Sequence, residues 1–286
     1  MSRYFVNSAT RWLVLGSGTI SFLVLLFIFL FILVEAIPSL RDVGPVDLLF
    51  GTTWSPAYGK YGLLPLAVGS ILSTLIAIAI AVPLSLSTAI YLAEIASPRV
   101  QRIARPTIDL LIGIPSVVYG LVGLMFLAPI IGDIDPAGGS GRSVLTAGIV
   151  LAVMILPTVA GISEDRIRSV PGQYREASSS LGATHWQTIW HVLLPAARPG
   201  IIAAVILGIG RAIGETMAMI MVIGNMPGFP TSIFQSAYTL TGAIAQEAGA
   251  AFGTHRSALF TAGLVLFVLV LLVNMAAIYA HRRMAR

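Results

Sequence analysis

The chain has 286 residues, of which 57% are hydrophobic and 10% charged, against roughly 25% charged in an ordinary soluble domain. That balance excludes a soluble globular protein and puts the chain in a bilayer. It contains no cysteine, which removes disulfide frameworks and thiolate metal sites, and its net charge of +5 is taken up by loop topology rather than by a nucleic-acid partner.

Apolar stretches near or above the ~20 residues that a helix needs to cross hydrocarbon predict an all-α integral membrane protein. Six transmembrane helices are expected, over 12–34, 67–93, 107–131, 143–162, 200–226 and 257–280, in a single domain covering 1–286. The first stretch exceeds the apolar core of a secretory signal and no A-x-A cleavage site follows it, so it is expected to remain in the mature protein. Six spans put both termini on one side. One set of exposed segments carries Arg3, Arg11, Arg99, Arg102, Arg105, Arg166, Arg168, Arg175, Arg198, Arg282, Arg283 and Arg286, the other only Arg41, Lys60, Arg142 and Arg256. The positive-inside rule makes the richer set, with both termini, cytoplasmic.

The outward loop over 35–61 holds Trp54-Ser55-Pro56, Tyr58 and Gly59, either a solvated connector or a surface for an extracytoplasmic partner. Inside the spans, Pro83, Pro115 and Pro157 free backbone carbonyls and kink helices. The run Gly113-Ile114-Pro115-Ser116-Val117-Val118-Tyr119-Gly120 is the one most prone to unwind and line a path. Asp109, four residues after Arg105, reads as its interfacial salt-bridge partner. In the outward turn Gly132-Asp133-Ile134-Asp135-Pro136, the Asp-x-Asp pattern lacks the rest of a calcium loop.

Between the fourth and fifth spans the chain turns polar over 164–199. Val170, Tyr174, Ala177 and Leu181 recur at one-face helical spacing, Pro171 suits the first turn, and Gly182 stops the helix. Thr184 followed by Gln187 fits a capping box that starts a second helix, with Trp186, Ile189, Trp190 and Leu193 along one face. Two short amphipathic helices at a bend are expected, either docking on a partner protein or lying on lipid headgroups.

In the fifth span, Gly208-Ile209-Gly210-Arg211-Ala212-Ile213-Gly214-Glu215-Thr216 places two charges near the bilayer middle, where each costs at least ~2.5 kcal/mol and is a functional hypothesis by default. Four residues apart, Arg211 and Glu215 share a helix face and can pair. Gly210 and Gly214 form a small-xxx-small pattern that also suits helix association. A guanidinium is a permanent planar donor suited to an oxyanion, so Arg211 and Glu215 are the candidate substrate-path residues, with phosphate the natural anion. Asn274 in the sixth span is expected to bond a neighbouring helix, and His185, His191, His255 and His281 show no metal spacing. Lys60, the sole lysine, is followed by Tyr61, so the chain has no P-loop, and no catalytic or metal site is expected in it.

The residues Glu176-Ala177-Ser178, Gly182 and Val192-Leu193-Leu194-Pro195 resemble the E-A-A, three residues, G, nine residues, I-x-L-P signature of bacterial ATP-binding-cassette importer permeases, with Ser178 for the third alanine and Val192 for isoleucine. Trp54-Ser55-Pro56, Tyr61-Gly62-Leu63-Leu64-Pro65-Leu66, the run 113–120 and Gly210-Arg211-Ala212-Ile213-Gly214-Glu215-Thr216-Met217 further resemble the phosphate-importer permeases, of the PstC type rather than the PstA type. The resemblance implies the type I importer permease fold and a coupling helix gripped by a cytoplasmic ATPase, with Tyr174, Arg175, Glu176, Ala177, Leu181, Gly182, Ala183 and Trp186 as its contact residues. It implies a heterodimer with a PstA-type permease, two ATPase subunits that hold ATP and magnesium, and an extracytoplasmic phosphate-binding protein. The function expected is a phosphate permease in a bacterial inner membrane. Alternatives are a sulfate, molybdate or phosphonate importer and an ion-coupled secondary anion transporter.

Overall fold

The computed structural model describes residues 3–284, so Arg286 lies outside the described residues, as do the side chains of Arg3, His281, Arg282 and Arg283. Six helical stretches are long and apolar enough to cross a membrane: Thr10–Asp42, Leu64–Ile95, Ser116–Ile134, Val144–Arg168, His185–Ile213 and Gly253–Ala276. In chain order the helices are α1 (Arg3–Asp42), α2 (Pro45–Phe50), α3 (Leu64–Ile90), α4 (Pro98–Gly113), α5 (Ser116–Val122), α6 (Ala128–Ile134), α7 (Val144–Arg168), α8 (Gly172–Ser180), α9 (His185–Thr188), α10 (Leu194–Ile213), α11 (Met217–Val222), α12 (Leu240–Glu247) and α13 (Gly253–Met284). Three wide turns, Tyr91–Ile95, Gly123–Leu127 and Ile189–Leu193, carry α3 onward, join α5 to α6 and join α9 to α10. The last two lie directly before Pro129 and Pro195. In each the ladder widens by one residue just ahead of the proline, with Ala128 bonding Gly123 and Leu194 bonding Ile189.

Helix α7 is the axis of the bundle, with Val144, Ala147, Leu151, Met154, Ile155 and Val159 buried. It packs along α3, where Gly148 lets the helices close on Ile76, and Ser85 of α3 donates to the Leu156 carbonyl of α7 at 3.0 Å. The free amides at the start of α7 are all met. Val144 and Leu145 bond the carbonyls of Gln235 and Ile233, and the Ser143 side chain accepts from Thr146. Helix α1 lies largely exposed. It is held to α13 by Ser39, whose hydroxyl meets Thr261 at 2.8 Å and whose amide meets Ser257 at 2.8 Å, and by Phe29 on Phe267 and Phe31 on Phe260.

The loop after α1 folds back on the bundle. Strands β1 (Trp54–Ser55) and β2 (Lys60–Tyr61) make an antiparallel hairpin, turned at Gly59 in the left-handed region (φ 68°). Trp54 is buried with Leu48, Leu63, Leu66 and Leu240, while Tyr58 at the tip is 84% exposed. The Glu247 carboxylate, at the end of α12, accepts from Trp54 Nε1 at 3.1 Å, Tyr238 Oη at 2.9 Å and meets His255 Nε2 at 2.8 Å. Burial and this carboxylate raise the Tyr238 phenol above its ordinary range, so it stays a neutral donor.

Four expectations change. The third span starts at Ser116, because Gly113 and Pro115 end α4 and leave Ile114 extended. The apolar stretch 107–113 belongs instead to α4. The fifth span begins at His185, not residue 200, because Pro195 and Pro199 sit within a helix that the wide turn accommodates, and it ends at Ile213 rather than at residue 226. Arg105 pairs with Glu164 at 3.1 Å and with Asp165, both on α7, rather than with Asp109 on its own helix. Asn274 donates to Val270 within α13 rather than to another helix. The Asp-x-Asp turn has a local use, since Asp135 accepts from the amides of Ala137 and Gly139.

A Cβ at position 148 would lie 2.5 Å from Ile76 Cγ2 and 2.6 Å from Ile76 Cβ. Gly148→Ala should therefore cost about 1–3 kcal/mol through overpacking, read as a lower unfolding midpoint of the detergent-purified protein. An unchanged midpoint would contradict the close α3–α7 approach.

Candidate functional site

The polar segment over 164–199 forms around two local stop and start signals. Helix α8 ends at Gly182, whose φ of 81° only glycine adopts freely, with Gly182 bonding the Ser179 carbonyl and Ala183 the Ser178 carbonyl. That pairing meets the last carbonyls of α8 as a Schellman motif does. Two residues on, Thr184 accepts from the Gln187 amide while the Gln187 side chain accepts from the Thr184 amide at 2.8 Å, the reciprocal capping box read from the sequence. The chain thus reverses without leaving its helix ends unpaired.

This bend presents an apolar surface. Leu181 is 90% exposed, Trp186 and Trp190 57% each, and Tyr174 53%; Glu176, Ala177 and Gly182 are exposed beside them and Ala183 is half-buried. The two expected faces are divided. Val170, Ile189 and Leu193 turn inward with Ala89 and Ile90 of α3, while Tyr174, Leu181, Trp186 and Trp190 turn outward. The two expected helices are α8 and α9, and α9 runs on through the wide turn into α10 rather than ending at the bend.

Arg175 leaves the outward face. Its guanidinium pairs with Glu94 at 2.5 Å and donates to the Val170 and Ile167 carbonyls at 2.8 and 3.3 Å. Beside it, Glu164, with its side chain 2% exposed, takes Arg168 at 2.8 Å and Arg105 at 3.1 Å, and Arg168 also reaches the Leu92 carbonyl at 2.8 Å. Glu94 and Glu164 are the functional neighbours that sequence reading missed. A carboxylate at the end of an apolar run, facing an arginine-rich segment, is the signal that could have found them.

The second cluster lies where α10 gives out. Arg211 falls in its last turn and Glu215 lies past its end, in the break before α11. The interruption prevents the expected pairing. Arg211 Nη1 donates to Thr158 Oγ1 of α7 at 3.2 Å, and the Glu215 carboxylate accepts from the Ala218 amide at 3.2 Å, capping α11. The Glu215 carbonyl takes Thr241 at 2.9 Å. Both charged side chains are half-buried, and among the described residues no ion pair joins them. Tyr119 of α5 packs against the buried cluster that includes Ala212, the residue after Arg211. Just past these two breaks the helices pack tightly, because Gly120 lets α5 approach Ala218 of α11 so closely that a Cβ there would lie 2.8 Å from the Ala218 Cα. Gly208 makes the close contact with Val159 of α7, whereas Gly210 has nothing within 4 Å and Gly214 meets only carbonyls of its own helix.

The chain thus combines an exposed apolar bend with a permanent cation that lies by a helix break and has no carboxylate partner among the described residues. The family model described as "Binding-protein-dependent transport system inner membrane component" matches residues 81–286. The chain belongs to that family. A relative named probable ABC transporter permease protein YqgH, from Bacillus subtilis, is 43% identical to this permease across 85% of it and 80% of its own length. Proteins named phosphate transport system permease protein PstC, from Xylella fastidiosa, and PstC 1, from Mycobacterium tuberculosis, are 36% and 34% identical, covering 84% and 97% of the permease and 80% and 94% of themselves. Among solved structures, a bacterial alginate ABC transporter in complex with a pentasaccharide-bound periplasmic protein superposes with a TM-score of 0.65 at 14% identity, over 98% of both chains. The inward-facing MetNI methionine ABC transporter gives 0.60 at 21%, over 79% of the permease and 95% of that chain. The permease therefore has the type I importer fold with six membrane-spanning helices.

Arg175→Ala would leave Glu94, with its side chain 6% exposed, without its cation, at a cost of about 1–3 kcal/mol or more for a charged acceptor. The bend should loosen from α3, seen as faster protease cleavage over 172–188 with the six spans intact. Cleavage at the unaltered rate would contradict the anchoring role.

Proposed function

We propose that this permease is the PstC-type subunit of an ATP-driven importer of inorganic phosphate, forming half of the translocation path with a PstA-type partner. The observation that carries the reading is Arg211: a half-buried guanidinium at a helix break, held by the neutral hydroxyl of Thr158 rather than by a carboxylate, in a chain about a third identical over most of its length to proteins named phosphate permeases. Arginine stays charged at every working pH and offers a planar set of donors to a tetrahedral oxyanion. A carboxylate clamped on it would compete with the anion. Here Glu215 is spent on the α11 amide instead, near enough to temper the local potential so that the anion is released as well as captured.

The permease itself is a transport subunit and not an enzyme. Its motive force, in this reading, is a pair of cytoplasmic ATPase subunits that hold ATP and magnesium and grip the exposed face of Tyr174, Glu176, Ala177, Leu181 and Trp186. In this reading that bend and both termini are cytoplasmic, which the arginine balance supports, and the Trp54 hairpin and the Glu247 cluster face an extracytoplasmic phosphate-binding protein. Arg175 of α8 pairs with Glu94, in the turn that carries α3 onward, and donates to the Ile167 carbonyl of α7, so in this reading motion of α8 is passed to α3 and α7. Arg211 approaches α7 through Thr158.

Arg211→Gln keeps a polar side chain and loses the charge. Charged hydrogen bonds are worth roughly 1.5–3 kcal/mol, so labelled-phosphate uptake per assembled complex should fall about ten- to a hundredfold. Uptake at the wild-type rate, or stronger stimulation of ATP hydrolysis by sulfate or molybdate than by phosphate, would contradict the proposal.

A further inference from the structure

Leu111, Pro115 and Tyr119 stand four residues apart at the break between α4 and α5. In an unbroken helix the Leu111 carbonyl would accept the amide of residue 115, and proline has none to give. The Tyr119 hydroxyl donates to that oxygen at 2.8 Å, the shorter of its two bonds; the other is the Ile114 amide, at 3.3 Å. The ring that carries this hydroxyl is half-buried against the buried cluster that includes Ala212, the residue after Arg211, and Ala218. Its backbone is pressed to α11 at the next residue, Gly120, where no side chain fits.

We propose that Tyr119 is a positioning residue of the anion path, its hydroxyl replacing the amide that Pro115 lacks and so fixing the bend of the third span beside Arg211. The functional half of the inference rests on the reading of Arg211 as the path cation. The hydroxyl-for-amide half does not, because it follows from the Leu111 carbonyl, whose bond from the Ile114 amide is long and whose shorter bond comes from the Tyr119 hydroxyl. Phenylalanine at 119 keeps the ring and its packing and removes only the donor. Alanine at 115 supplies the missing amide and makes the hydroxyl redundant.

The test uses the purified complex of both permeases and the ATPase, with Tyr119→Phe, Pro115→Ala and the double variant, in reconstituted vesicles with the loaded binding protein. Tyr119→Phe should lower the unfolding midpoint by about 2–4 °C and phosphate uptake per folded complex about tenfold. Introduced on top of Pro115→Ala, Tyr119→Phe should leave the midpoint where Pro115→Ala alone puts it. If Tyr119→Phe does not accumulate, the double variant should restore accumulation. Unchanged uptake per folded complex would reduce Tyr119 to a packing residue and overturn the positioning role. An equal fall in midpoint in both backgrounds, or no restored accumulation, would show that the hydroxyl acts elsewhere. If Arg211→Gln transports normally while the cycle behaves as stated, the path reading of Arg211 fails and the hydroxyl-for-amide exchange stands.

Discussion

In hydrocarbon a backbone carbonyl without a donor costs several kcal/mol, and this permease is arranged around places where its own prolines create one. Pro129 and Pro195 each follow a wide turn whose bonds run five residues back. Pro115 is answered by a true break, with a side-chain hydroxyl in the amide's place. The same accounting covers the amides that open α7, each with a loop carbonyl or the Ser143 hydroxyl. A helix break inside a bundle therefore persists only where neighbours complete it, and those neighbours gather at Arg211. The break after Ile213 leaves Arg211 in the last turn of α10, with its guanidinium on the Thr158 hydroxyl rather than on a carboxylate.

At the opposite extreme of α7 the constraint is electrostatic. Glu94 and Glu164 are nearly closed to solvent, and each is held by arginines from another segment or turn of helix. A buried pair of this kind adds little net stability but is costly to split, which suits a joint that must transmit motion without parting. The same bend also leaves large apolar side chains exposed: Leu181, Trp186, Trp190 and Tyr174. One side of α8 is thus fixed by charge to the spans, and the other offers an aromatic surface of the kind a partner protein covers.

The number of spans and the stop at Gly182 and start at Thr184 could be read from sequence, because hydropathy and helix caps are local properties. So could the break at Pro115, which a missing amide dictates. Residues whose partner is distant in sequence were misread. Arg105 looks to Asp109 in sequence and to Glu164 and Asp165 in space, and the helical spacing of Trp186, Ile189, Trp190 and Leu193 does not say which pair meets α3. Pro195 and Pro199 resemble a boundary but lie inside a helix. Arg211 and Glu215 satisfy the spacing of a helical pair and yet do not pair, since Gly214 lies at the end of the helix that would have aligned them. Tyr119 and Thr158 gave no signal, being ordinary residues made significant only by what they face.

The central claim is that a lipid-embedded path is driven by a separate motor holding the bent segment from inside the cell. Because the chain has no cysteine, Leu181→Cys introduces a single reactive thiol at its most exposed apolar position on the bend. The most direct measurement is labelling of that thiol by a membrane-impermeant maleimide in inside-out and right-side-out vesicles, with and without the ATPase subunits. The account predicts labelling in inside-out vesicles alone, and protection once the ATPase is bound. Labelling in right-side-out vesicles, or labelling indifferent to the ATPase, would contradict it.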